Sequence, residues 1–314
     1  MSTKPDLLVI SPWYDVAMKE LDDHFTVHKL WESKDKAGLL ASLADRCEAI
    51  AGATACGADI MDALPKAKVI AHHGVGYDGV DVAAATARGI KVSNTPDVLS
   101  DEVADFALGL LLATCRKIPH ADRYVRAGKW ESEGNMAFTQ RVHGRKVGIL
   151  GLGRIGIEIA RRCEGFKMDI AYHTRSQKAD VPYKYYGDLL SMAKDVDFLI
   201  AIVPGGASTR HMINREVLDA LGPTGVLVNV ARGSVVDEAA LIEALKDGRL
   251  GAAGLDVFEQ EPKVPQALKD MTENVVLQPH QASATHDTRL AMGRLVMENA
   301  LAGLAGKPLI TPVN

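Results

Sequence analysis

The residues with the clearest capacity for chemistry lie in the second half of the chain. Arg232 sits in NVARGSVVDE (229–238), Glu261 in DVFEQEP (256–262) and His280 in QPHQASAT (278–285). Each comes after a short apolar run that reads as a buried strand, at 225–230, 252–257 and 274–277. In a parallel sheet, ligands bind beyond the carboxyl ends of the strands, so residues at these three positions can meet at one edge. The side-chain types fit a proton-coupled reaction on an anion. An imidazole titrates near neutral pH and can give and retake a proton. A carboxylate beside it favours the imidazolium form. A guanidinium offers a planar fork for carboxylate and carbonyl oxygens, each charge-assisted contact worth about 1.5–3 kcal/mol. Taken singly, each residue also reads as an ordinary loop residue: a solvated glutamate before proline, a structural histidine, an arginine capping a neighbouring helix. The shared position after strands is what joins them.

A second motif supplies the missing electrons. VGILGLGRIG (147–156) follows an apolar strand and opens a helix over 155–162. In that setting Gly151 permits a tight turn, Gly153 clears space for a pyrophosphate, and Gly156 lets helix and strand pack closely. Arg154 and Ile155 place their backbone N–H groups at the helix start, where phosphate charge is favoured. The next strand, DIAYHTRS (169–176), carries Arg175 and Ser176 at its end, where an NAD enzyme usually has an acid. A guanidinium and a hydroxyl suit a 2′-phosphate, and an acid would repel it. The expected cofactor is therefore NADPH, with NADH possible. Hydride transfer to a keto carbon leaves an oxyanion that needs a proton, the task left for His280.

The elements that must position these groups can be read from periodicity. Residues 7–10, 25–30, 49–53, 69–71 and 90–92 read as strands, alternating with helices at 16–21, 36–43, 58–64 and 82–87. Helical spacing over 97–118, with Asp97 after Pro96 as N-cap, predicts a long crossing helix. Residues 129–144 have no periodicity and read as a loop. Strand–helix alternation restarts at Lys146, with about six strands at 147–150, 169–173, 198–203, 225–230, 252–257 and 274–277. A last helix over 284–305 can return to the first domain. The fold class is α/β: two Rossmann-like domains with parallel sheets and a cleft between them. The expected boundaries are 1–97 plus 286–314 for a discontinuous substrate-binding lid, and 98–285 for the dinucleotide-binding domain.

Composition limits the alternatives. The chain has 314 residues, a formal charge of −4 and no basic block, so nucleic acid is not an expected partner. Its longest apolar stretch, at 106–113, is too short to span a membrane, and no signal peptide is evident. Cys47, Cys56, Cys115 and Cys163 show no C-x-x-C spacing, which predicts reduced structural thiols and no zinc site. His72 and His73 are adjacent on a strand, so their side chains point to opposite faces and do not make a metal pair. A cytoplasmic enzyme is the expectation.

Four segments, GLGRIG (151–156), NVARGSVVDE (229–238), GLDVFEQEP (254–262) and PHQASATHDTR (279–289), resemble in order and spacing the D-isomer-specific 2-hydroxyacid dehydrogenases. NTPDVLSDEVADFALGLLLA (94–113), YYGDLL (185–190), INREVLDALGPTGVLVNVARG (213–233) and GKPLITPV (306–313) look like the glyoxylate/hydroxypyruvate and hydroxyphenylpyruvate reductases within that family. The resemblance implies reduction of a small 2-oxo acid to the 2-hydroxy acid, with Arg232, Glu261 and His280 as the catalytic set. It implies that the N–H groups of Val75 and Gly76, in HGVGYD (73–78), bind the substrate carboxylate together with Arg232. It also implies that Val203, Pro204, Val230, Asp256 and His280 border the cofactor, and that the enzyme is a homodimer. Many family members have His-Ile-Gly where this chain has His280-Gln281-Ala282, which weakens inference about the substrate side chain. Trp13 and Tyr14, after the first strand, read either as substrate-facing or as local packing. Two other readings stand beside the main one: a 3-phosphoglycerate-type dehydrogenase, and a dinucleotide-sensing, co-repressor-like binding protein.

Overall fold

Apolar runs such as AIAG and FLIA have no polar face to give to water, so they are buried on both sides. In the computed structural model, which describes residues 4–314, they form two separate sheets in which every ladder is parallel. The first contains β1 (Asp6–Val9), β2 (Thr26–Lys29), β3 (Ala49–Gly52), β4 (Val69–His72) and β5 (Lys91–Ser93), in the order β2-β1-β3-β4-β5. The second contains β6 (Lys146–Leu150), β7 (Asp169–His173), β8 (Lys184–Tyr186), β9 (Phe198–Ala201), β10 (Val226–Asn229), β11 (Ala252–Leu255) and β12 (Val275–Leu277). Its order is β12-β11-β10-β9-β6-β7-β8. The chain runs outward from β6 through β7 to β8, then resumes on the other side of β6 at β9. That reversal puts the topological switch point between β6 and β9.

The described chain divides into two compact units, one running to Leu99 and resuming from Ala284 to Asn314, the other Ser100–Ser283. In the first unit, Leu7, Val9, Ala49, Ala51, Val69 and Ala71 are buried together with Val296 and Ala300 of the helix His286–Leu304. Thr285 caps that helix, accepting from the Thr288 N–H at 3.2 Å. The residues after it return to the edge of the sheet, where Ser93 and Pro312 form an antiparallel bridge. In the second unit, the helix Ser100–Cys115 packs on the helix Arg154–Gly165 and on β10 and β11.

Three local expectations need correction. Asp97 is not an N-cap: it has φ of 69°, and the helix begins three residues later, at Ser100. The long helix ends at Cys115, and Lys117, at φ 52°, turns the chain into a second helix, Ile118–Arg126, with a proline in its first turn. Part of the expected 129–144 loop is a short helix, Lys129–Glu133. The second sheet also gains β8, a three-residue edge strand too short to leave a period in the sequence.

Candidate active site

All strands of the second sheet run parallel, so the segments after β6, β7, β9, β10, β11 and β12 emerge on the same edge. The glycine turn after β6 has a backbone that only glycine fits well. Gly151 has φ of 100°, and a Cβ there would lie 2.9 Å from Val203 Cγ1. A Cβ on Gly156 would lie 2.1 Å from the Gly151 carbonyl oxygen, so the helix Arg154–Gly165 approaches the turn closely. A Cβ on Gly153 would meet no atom within 4 Å: the space in front of the helix start is open, and a side chain would intrude on it. Gly153 is also the helix N-cap and supplies no side-chain cap, so the first N–H groups, those of Arg154, Ile155 and Gly156, face that space. These features fit a dinucleotide pyrophosphate. The Gly151 N–H donates to the His173 carbonyl at 3.0 Å, which ties the turn to the end of β7. Arg175 and Ser176 follow β7 and are exposed, and the Thr174 hydroxyl donates to the Ser176 carbonyl at 2.8 Å, closing a tight turn. Val203 and Pro204 follow β9, and Val230 follows β10, its N–H donating to the Ala201 carbonyl at 3.2 Å.

Beyond β10 the chain is held by Asn229, which is 1% exposed. Its Nδ2 donates to the Arg232 carbonyl at 3.0 Å and its Oδ1 accepts from the Ala231 N–H at 3.0 Å. The turn Gly233–Val235 follows, and Asp237 caps the next helix by accepting from the Ala240 N–H at 3.0 Å. Gly233 lies directly against the backbone beyond β11: a Cβ there would come within 1.9 Å of the Phe258 carbonyl carbon. This close approach brings the Arg232 segment to the Glu261 segment.

Glu261 and His280 are directly bonded, with His280 Nδ1 2.8 Å from Glu261 Oε2. A carboxylate can only accept, so Nδ1 carries the proton of this bond and the transferable position is Nε2. The other carboxylate oxygen, Oε1, accepts from the Phe258 N–H at 3.0 Å. Burial alone would raise the Glu261 pKa, but the His280 and Phe258 hydrogen bonds and the charges of His280 and Arg232 outweigh it and hold the carboxyl below its ordinary value. Glu261 therefore stays ionised beside the imidazole. The pair opens on a cavity of about 530 Å³ with an otherwise largely apolar lining that includes Phe258, Pro262, Val264 and Leu277.

His280 has φ of 56°, a left-handed conformation uncommon for a residue with a side chain. Asp256, 1% exposed, holds it there. Its carbonyl accepts from the His280 N–H at 2.8 Å, and its carboxylate accepts from the Gln281 N–H at 2.7 Å and the Ala282 N–H at 3.0 Å. Burial raises the Asp256 pKa while the two N–H bonds act against it. Asn229, Gly233 and the loop-holding part of Asp256 were not evident from sequence, because each acts through backbone atoms that only the fold brings near.

The remaining candidates lie in the first unit. Val75 and Gly76 follow β4 in a half-buried turn. His72 Nε2 lies 3.0 Å from the Gly76 carbonyl, whereas His73 stacks on Trp13 with ring centroids 5.1 Å apart and an interplanar angle of 9°. The two histidines thus have separate partners, and no metal-binding cluster is found among the described residues. Trp13 takes its packing role, and the Tyr14 hydroxyl lies 2.9 Å from His286 Nδ1. Cys47, Cys56, Cys115 and Cys163 are buried free thiols, the last three pushed up to about 12 by burial.

Comparison with known proteins adds an independent line. Residues 108–282 match the family description "D-isomer specific 2-hydroxyacid dehydrogenase, NAD binding domain". Over 309 residues, and 98% of both chains, the protein is 46% identical to hydroxyphenylpyruvate reductase of Plectranthus scutellarioides. It is 45% identical over 309 residues, again 98% of both chains, to glyoxylate/hydroxypyruvate reductase A of Arabidopsis thaliana. Among solved structures, the NADPH-dependent glyoxylate/hydroxypyruvate reductase of Sinorhizobium meliloti in complex with NADP and malonate matches with a TM-score of 0.94. Identity there is 47%, covering 99% of this chain and 97% of the other.

Proposed function

The chain belongs to the D-isomer specific 2-hydroxyacid dehydrogenase family, and from that premise we propose that it reduces a small 2-oxo acid to the D-2-hydroxy acid, with NADPH as the preferred reductant and NADH a weaker one. Glyoxylate and hydroxypyruvate are the primary substrates, with an aryl pyruvate as an extension. The observation that carries the reading is the His280 Nδ1–Glu261 Oε2 bond of 2.8 Å at the carboxyl edge of a sheet that also bears the glycine turn.

Bound along that edge, the reduced nicotinamide supplies the hydride. Arg232 orients the carboxylate and the keto oxygen and offsets the charge that develops on that oxygen. His280 gives the Nε2 proton to the oxyanion and regains it from solvent or, in the reverse direction, from the hydroxyl. Glu261 keeps the ring in the Nδ1–H tautomer, which leaves Nε2 as the position that exchanges a proton with the substrate. Asp256 keeps the ring in place through the backbone. The N–H groups of Val75 and Gly76 take the substrate carboxylate. Arg175 and Ser176 hold the 2′-phosphate, and Gly151, Gly153, Arg154, Ile155 and Gly156 the pyrophosphate. Val203, Pro204 and Val230 border the nicotinamide half. The unit that starts at Ser100 thus acts as the dinucleotide-binding domain and the other as the substrate lid.

Ile118 and Val125, each more than half exposed, line with Leu112, Ala121, Arg116 and Asp122 a groove of about 610 Å³, and exposed apolar side chains edged by charged ones support a homodimer. The buried free thiols support a cytoplasmic setting. No helix among the described residues is long and apolar enough to cross a membrane.

The test is NADPH oxidation with glyoxylate, hydroxypyruvate and 4-hydroxyphenylpyruvate, alongside a His280→Ala variant. We expect turnover by the wild type and a kcat lower by about 10²–10⁴-fold in the variant, with little change in NADPH affinity. A wild type without turnover on any 2-oxo acid but with intact NADPH binding favours the sensor reading. A variant retaining its kcat removes His280 from the mechanism.

A further inference from the structure

The turn after β4 is held by its carbonyl oxygens. The Gly74 carbonyl accepts from the Thr95 N–H at 2.9 Å. The Val75 carbonyl accepts from Asn94 Nδ2 at 2.9 Å, and the Gly76 carbonyl from His72 Nε2 at 3.0 Å. In a trans peptide the N–H points opposite to the C=O of the same plane. Fixing the Gly74 carbonyl therefore fixes the direction of the Val75 N–H, and fixing the Val75 carbonyl fixes that of the Gly76 N–H. Three consecutive carbonyls turned toward protein donors leave this short turn no freedom to rotate its N–H groups. The packing is close: a Cβ on Gly74 would lie 3.0 Å from His72 Nε2.

Asn94 is itself held from behind by the end of the chain. The Thr311 hydroxyl donates to the Asn94 carbonyl at 2.7 Å, and the Asn94 N–H donates to the Thr311 carbonyl at 3.3 Å. Thr311 in turn rests on Asn299, which is fully buried in the last helix. Asn299 Oδ1 accepts from the N–H groups of Ile310 and Thr311 at 3.0 and 3.1 Å, and its Nδ2 donates to Thr311 Oγ1 at 2.9 Å. One polar chain thus runs from the helix His286–Leu304 through Thr311 and Asn94 to the Val75 carbonyl.

We propose that Asn94, braced by Thr311, is a positioning residue for the substrate carboxylate: through the Val75 carbonyl it aims the Gly76 N–H, beside a Val75 N–H whose direction the Thr95 N–H fixes through the Gly74 carbonyl. The proposal rests on the reading that those two groups bind the carboxylate. It assigns a role in substrate binding to residues 217 apart in sequence, one of them in the last four of the chain. Loss of aim weakens an anion contact that the substrate makes from the start of binding, so KM rises while the hydride and proton steps, built on the other unit, keep their rate once substrate is bound.

The experiment measures kcat and KM for glyoxylate and for its methyl ester at saturating NADPH, with NADPH Kd and Tm recorded for every variant. Asn94→Leu removes the side-chain donor. Thr311→Val removes the hydroxyl at constant shape, and Thr311→Ser retains it. We expect Asn94→Leu to raise KM for glyoxylate about 10-fold with kcat within about threefold, and Thr311→Val to raise it about threefold, as the loss of one hydrogen bond implies. Thr311→Ser stays near wild type, and KM for the ester does not move. Folded Asn94→Leu and Thr311→Val with unchanged glyoxylate KM overturn the positioning proposal; if the wild type still prefers the acid to its ester, recognition of the carboxylate by Arg232 and the turn together stands. A wild type that treats acid and ester alike overturns the carboxylate reading and this proposal with it. If Asn94→Leu is poorly folded, the Thr311→Val and Thr311→Ser pair decides: equal KM values for the two refute the bracing.

Discussion

Gly233→Ala should disable the active site while sparing the cofactor turn. The added Cβ would lie 1.9 Å from the Phe258 carbonyl carbon, 2.0 Å from its oxygen and 2.4 Å from the Glu259 nitrogen. All three are backbone atoms, so no side chain can rotate out of the way. Ordinary contact begins near 3.4 Å, so one of the two segments must retreat by more than 1 Å. The Phe258 N–H is one of the anchors of the Glu261 carboxylate, and the Asn229-bound segment on the other side carries Arg232. Either displacement pulls the guanidinium away from the Glu261–His280 pair. A misplacement of about 1 Å costs on the order of 10²-fold in rate, and overpacking costs roughly 1–3 kcal/mol of stability. We expect kcat/KM to fall about 100-fold, Tm to fall by several degrees, and NADPH Kd to stay within about threefold, since the glycine turn hangs on β6 and β7. Steady-state kinetics, fluorescence titration of NADPH and thermal melts measure these. Gly109→Ala is the control: a Cβ there meets nothing within 4 Å and sits in the helix Ser100–Cys115, so it should stabilise slightly and leave activity alone. A folded Gly233→Ala enzyme with kcat/KM within threefold of wild type refutes the claim that this close approach sets the catalytic geometry.

Asp256→Asn keeps one acceptor but turns an NH₂ toward a backbone N–H; kcat should fall roughly 10-fold or more, and a value within twofold of wild type removes Asp256 as the clamp on His280. Arg175→Ala should weaken NADPH far more than NADH, and equal losses for both cofactors refute the 2′-phosphate contact. His73 is 3% exposed, neither ring nitrogen has a hydrogen-bond partner, and burial, with the charge of Arg289, pushes its pKa down to about 4 from 6.5. The unfolded chain takes up that proton first, so stability from this group is full above pH 6.5 and is lost as pH falls toward 4, by about 3 kcal/mol in all. Urea melts of wild type and His73→Phe should diverge over that window, and parallel pH profiles refute the shift.

Much of this protein could be read before folding because its signals are local. A short uninterrupted apolar run between turn residues, such as FLIA, reads as a buried strand, and G-x-G-x-x-G after such a run limits what can bind the turn. Arg232, Glu261 and His280 stood out because each follows a strand of one parallel sheet, and parallel strands bring their carboxyl ends to one edge. Where the sequence misled, the cause was also local: Pro96-Asp97 resembles a helix start, but the backbone at Asp97 is left-handed and the helix begins later.

Tertiary structure alone decided how those residues are held. Nothing in the spacing of Asp256 and Gln281 reveals that a buried carboxylate grips the backbone beside the imidazole, or that Gly233 is glycine because another segment's peptide occupies the space of a Cβ. The link from Thr311 to Asn94 joins positions that share no local pattern. Periodicity and motif spacing record what a residue does along its own element. Contacts made through backbone atoms between distant segments leave almost no mark on residue type, and at this site they set the aim of each reacting group.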